Sequence, residues 1–243
     1  LNRKISKTTM LFIILLLVTG PIRTLASEGI SGLMDDIVSV IYMLPAIAIA
    51  LSFHEFGHAW VADFWGDDTP ARDGRVTLDP RAHIDLMGLV SLLLIHFGWG
   101  RPVRINPQRF KDRRAGLITV GLAGVTMNFL TALLFGGFIK LLYTFAADFS
   151  ATSPGVILIS IFFNVVYINI SLMLFNLLPV PPLDGFNVIA EVFRLYNTKF
   201  YAFVRSNSYW ILLVMIIFNI PSLILSGPMS GIVTFILHTI YRL

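Results

Sequence analysis

The sequence predicts an all-α polytopic membrane protein. It should have about four to six transmembrane helices, with a short membrane-dipping, β-like or re-entrant loop between the first and second core helices. Three observations carry this. Of 243 residues, 56% are hydrophobic and only 13% charged, against roughly 25% charged in soluble domains. The apolar residues gather in runs comparable to the ~20 that span a bilayer. The cations behind the net charge of +4 sit in short loops between those runs, the pattern of charge-biased topology and not of a nucleic-acid surface. The lipid bilayer is therefore the expected partner, and no nucleic acid is expected. So much apolar surface also excludes disorder. With no cysteine, disulfides and thiolate zinc sites are excluded, and any metal must be held by His, Asp or Glu.

The elements follow in order. Residues 1–26 read as a signal-like segment or a short N-terminal anchor. Arg3, Lys4 and Lys7 precede an apolar run at 10–18, Gly20-Pro21 should break it, and Ala26 offers a small-residue site. Residues 27–243 read as one membrane domain with its core at 44–194. The first long run is 38–65, the second 115–145 and the third 156–178. The last, 209–240, should break at Pro221 and again at Ser226-Gly227-Pro228, as one span plus a shorter helix or as two short spans.

Residues 84–98 are too few to span. Loop charge indicates how they lie. Residues 101–114 carry six Lys/Arg and residues 194–205 carry three, whereas 146–155 carry none. The two basic loops belong in the cytosol and the third outside. That works if 84–98 dips in without crossing, which is tolerated where protein covers the backbone. Val76-Thr77-Leu78 is the candidate β-like stretch before it.

The chemistry lies inside these runs. Ser52-Phe53-His54-Glu55-Phe56-Gly57-His58 contains H-E-x-x-H. On a helix, His54 and His58 fall one turn apart on one face and can share a zinc ion. Glu55 beside them can accept a proton from a metal-activated water. The bland alternative, polar glue between helices, would place a carboxylate and two imidazoles in an apolar span with no cation in the run. Zinc needs a third protein ligand. His83, His96, His238 and the aspartates are candidates. Asp184 is the best placed, because Pro179, Pro181 and Pro182 unwind the chain where the third span ends, at matching depth. Asp184 can alternatively cap the helix that follows it.

Several motifs resemble, in order, those of the site-2 protease family of intramembrane zinc metalloproteases, in its compact prokaryotic branch without PDZ or CBS domains. His54-Glu55-Phe56-Gly57-His58 resembles its zinc motif, and Asn176 to Gly185 its N-x-x-P-x-P-P-L-D-G motif. Leu78 to Asp85, Gly98 to Val103 and Ile105-Asn106-Pro107 resemble the elements between them. The resemblance implies one zinc per chain held by His54, His58 and Asp184, with Glu55 as general base. It also implies a catalytic role for Asn128, on substrate or oxyanion, although Val125 stands where the family has proline. Asn128 can equally be an interhelical hydrogen-bonding residue. His83 reads as structural or as a support for the site. The implied reaction is hydrolysis of peptide bonds in the transmembrane helix of a protein substrate, in a multi-pass plasma-membrane enzyme whose site opens to the cytosol. The implied substrate contact is strand addition, with Val76-Thr77-Leu78 as candidate edge. The competing class is a small membrane transporter or a metal-binding membrane protein without proteolytic activity.

Overall fold

The computed structural model describes residues 7–95 and 98–243. Arg3 and Lys4 of the signal-like start, and the candidate ligand His96, lie outside the described residues. Helix dominates, as the long apolar runs require in lipid, where each backbone polar group must be satisfied within its own segment.

Helix α1 (Lys7–Phe64) contains the first core run and departs from helical backbone at Gly29, where φ is 71°. Gly20-Pro21, the expected break, is helical. Proline within a helix removes one hydrogen bond without obliging the chain to leave it. Short helices α2 (Thr69–Arg72) and α3 (Pro80–His83) follow. Helix α4 (Leu86–Ile95) has 10 residues. At 1.5 Å per residue it extends about 15 Å, half a bilayer core, as a dipping segment should.

Helix α5 (Arg113–Phe145) and helix α7 (Ser153–Asn176) are long and apolar enough to span, with α6 (Ala147–Ser150) between them. Asp112 caps α5 by accepting from the amides of Arg114 and Ala115. Helix α8 (Asp184–Val192) follows the proline-rich turn. Helices α9 (Lys199–Ser206) and α10 (Ser208–Ile217) meet at a 64° bend. Helix α11 (Ile220–Thr234) runs on through a π-helical end to Ile240, making a third segment able to span. The expected break at Ser226-Gly227-Pro228 does not occur. The chain turns at Phe218-Asn219, where Asn219 is left-handed at φ 51°. Pro221 falls in the first turn of α11, where an absent N–H costs nothing.

The core lies between α5, α7 and the end of α11, around Ile139, Val166, Ile170 and Ile236. Helix α1 packs on α5 and α7, and α8 packs on α5.

The dipping loop differs from expectation in one respect. Among the described residues there is no strand, only an isolated antiparallel bridge between Ile84 and Gly100. Val76-Thr77-Leu78 is not part of a strand. The carbonyl of Thr77 is held by His83 Nε2 at 2.8 Å, and its hydroxyl accepts from the Asp79 amide at 3.1 Å. One carbonyl that a partner strand would use is thereby taken by a side chain.

Candidate metal centre

His54 and His58 lie on the α1 face that meets α5, and both are buried. Two glycines let the backbones come close enough. A Cβ on Gly124 would lie 2.5 Å from both His54 Cε1 and His58 Nε2, so α5 can lie against the imidazoles only with glycine there. A Cβ on Gly185 would meet the Leu177 carbonyl oxygen at 2.3 Å. Glycine there lets α8 start hard against the end of α7, which delivers Asp184 to the same point. Asp184 is the first residue of α8 and not its cap, which is Leu183.

Three atoms converge. His54 Nε2 and His58 Nε2 are 3.1 Å apart, and Asp184 Oδ2 is 3.3 Å from the first and 3.2 Å from the second. A tetrahedral zinc ion with bonds of about 2.0–2.1 Å sets its ligands about 3.3 Å apart. Among the described residues this is the group of three able to hold a metal ion. His83 and His238 do not join it.

The hydrogen bonds behind the imidazoles assign their protons. His58 Nδ1 lies 2.7 Å from the Val120 carbonyl oxygen, so it donates, and in the neutral ring Nε2 carries the lone pair. His54 Nδ1 lies 2.7 Å from Asn128 Oδ1. The Asn128 amide nitrogen donates to the Ala50 carbonyl at 3.2 Å and to Asn169 Oδ1 at 2.9 Å. Its oxygen must then be the acceptor, and His54 Nδ1 the donor. Two imidazole lone pairs and a carboxylate oxygen thus face one another. Asp184 Oδ2 is buried without a hydrogen-bond partner in the protein. Such a set is repulsive alone and fits a divalent cation.

Asn128, read as a substrate or oxyanion group or as an interhelical hydrogen-bonding residue, bonds to His54 on α1 and Asn169 on α7. It is fully buried, and both amide hydrogens are engaged. Glu55, one residue along from His54, is half-buried, and its Oε2 accepts from the Val103 amide at 3.0 Å. Sequence reading missed that contact, since a backbone donor has no residue signature. It also missed Asp67, which is fully buried and fastens the loop carrying Val103. Its carboxylate accepts from the Asn106 amide at 2.6 Å and from the Thr69 hydroxyl at 2.5 Å. Arg104 pairs with Asp73 at 2.7 Å farther along that loop.

A His-His-Asp group able to hold a metal ion, with a carboxylate beside it and inside a bundle of membrane-spanning helices, fits a membrane-embedded hydrolytic metalloenzyme. The sequence profile of Peptidase family M50 matches residues 42–219. The chain is 35% identical over 153 residues to "Putative zinc metalloprotease YwhC" of Bacillus subtilis, covering 62% of this chain and 68% of that one. It is 28% identical over 222 residues to "Putative zinc metalloprotease Rip2" of Mycobacterium tuberculosis, covering 89% of this chain and 80% of the relative. A Rip2 of Mycolicibacterium smegmatis is 24% identical over 230 residues, covering 91% and 84%. No solved structure matches. The chain belongs to peptidase family M50 and is an intramembrane zinc metalloprotease using one zinc ion.

Proposed function

We propose that His54, His58 and Asp184 hold the zinc ion, that Glu55 is the general base, and that the substrate is a transmembrane helix of another protein. The observation that carries the ligand assignment is the triangle of two Nε2 atoms and one Oδ2, 3.1–3.3 Å on a side. When bound, zinc polarises the scissile carbonyl and brings the pKa of water to about 7. Glu55 accepts the proton of the attacking water and returns one to the leaving amine. The Val103 N–H keeps the Glu55 carboxylate oriented. Asn128 acts by fixing the tautomer and ring plane of His54. In this reading residues 27–243 form the protease domain, and residues 1–26 precede it as a signal-like or anchoring segment. In the same reading the enzyme sits in the plasma membrane, as the family resemblance implies, and its site faces the cytosol, an orientation supported by the basic loops 101–114 and 194–205 near the start of α5 and beyond the end of α7.

The test is cleavage of a membrane-reconstituted transmembrane reporter by the wild type and by Glu55→Gln. Loss of cleavage with zinc retained supports the assignment. Equal cleavage by both would sink the role of Glu55. Metal flux unaffected by Glu55→Gln would favour transport.

A further inference from the structure

One surface is used by neither the metal centre nor the core. Residues 192–207 contain no Asp or Glu but hold Arg194, Lys199 and Arg205. In the same stretch Phe193, Phe200 and Phe203 are 69%, 62% and 65% exposed. At 100° per residue, α9 sorts into three sectors. Phe200 and Phe203 point outward together, Lys199, Arg205 and Ser206 form the polar side, and Tyr201 and Val204 turn in toward the protein. The 64° bend into α10 sets this helix across the direction of the apolar segment that follows. A short helix with an aromatic side, a cationic side and no acid is built to lie in a membrane interface.

The inward side leads to the metal centre. Tyr201 stacks on Phe186 with ring centroids 5.7 Å apart and planes 9° from parallel. Phe186 is two residues along α8 from Asp184 and is buried. Tyr196, in the turn between α8 and α9, meets Tyr201 edge-on at 4.9 Å and donates its hydroxyl to Glu191 Oε2. Arg113 stands 5.9 Å over the Tyr196 ring and 3.8 Å from Glu191 Oε1. The far end of α8 is thereby tied to the start of α5, while its face near Asp184 rests on a residue of α9.

We propose that α9, with Phe193 and Arg194, docks on anionic phospholipid headgroups at the metal-site end of the bundle, and that this seating steadies the α8 arm bearing Asp184. The cations meet the headgroup phosphates, the phenylalanines enter the acyl boundary, and Tyr201 passes the constraint to Phe186. The second half rests on Asp184 being a zinc ligand.

The experiment uses the zinc-loaded full chain in nanodiscs of phosphatidylcholine, with and without phosphatidylglycerol. Two quantities are read: amide exchange over residues 199–206, and the rate at which a chelator takes up zinc. Anionic lipid should slow both several-fold. The variant Arg194→Gln/Lys199→Gln/Arg205→Gln should lose the dependence, with anionic-lipid affinity falling about fivefold for each cation removed. Its zinc content and melting temperature in phosphatidylcholine should match the wild type. Phe200→Ser/Phe203→Ser should behave similarly. Exchange indifferent to anionic lipid would overturn the surface. Slower exchange with unchanged zinc release would overturn the coupling. A wild type that holds no zinc would instead defeat the ligand assignment, and the exchange arm would still decide the surface.

Discussion

Two buried histidine sites in this protein invite comparison. His54 and His58 each have Nδ1 on an acceptor, Asn128 Oδ1 and the Val120 carbonyl, so their Nε2 lone pairs face each other and a carboxylate. His83 is more deeply buried, with no exposed surface. Its Nε2 donates to the Thr77 carbonyl, and Nδ1 has no partner in the protein. Burial alone therefore does not make a metal site. The atom behind the ring decides which nitrogen is a lone pair, and helix spacing decides whether a second ligand stands opposite. His83 lies at the end of a four-residue helix, and the carboxylate one turn before it, Asp79, is paired with Arg81.

Substitutions can break or sharpen this contrast. Asp184→Ala should have the largest effect, losing nearly all bound zinc, because two imidazoles are too few for a stable tetrahedral site; elemental analysis of the purified protein checks it. Glu55→Gln should keep zinc while turnover falls about 10²–10⁴-fold, the range for a positioned general base, as read from reporter cleavage at matched zinc content. Asn128→Ala should weaken zinc binding about 10–100-fold by freeing the His54 ring, measured by competition with a chelator. Val103→Pro removes the amide on Glu55 and should lower turnover about tenfold with zinc affinity unchanged, the weight of one hydrogen bond to a charged group. The smallest effect belongs to His83→Ala. It should leave zinc in place and cost about 1–3 kcal/mol through the lost hydrogen bond to Thr77, seen as a lower melting temperature in detergent.

Much of this site was readable in the sequence, for local reasons. His54 and His58 are four apart, and helical geometry turns that spacing into a shared face. Asp184 follows three prolines that end a span, and composition alone marks that unwinding. What was not readable depends on tertiary packing. The Val103 amide is a backbone group, and any residue but proline would supply it. Asn128 could meet substrate or tie helices together, and its contacts depend on where Ala50 and Asn169 fall. Pro221 marked the turn at Phe218-Asn219 to within three residues, whereas Ser226-Gly227-Pro228 carries breaker chemistry that the helix tolerates. Thr77 has strand propensity, but His83 claims its carbonyl.

The most direct measurement is zinc-to-protein stoichiometry in wild type, His54→Ala, Asp184→Ala and His83→Ala, each purified in detergent and shown to be folded. One zinc per chain is expected in the wild type and in His83→Ala, and almost none in the other two. Full zinc in Asp184→Ala, or its loss in His83→Ala, would contradict the ligand assignment.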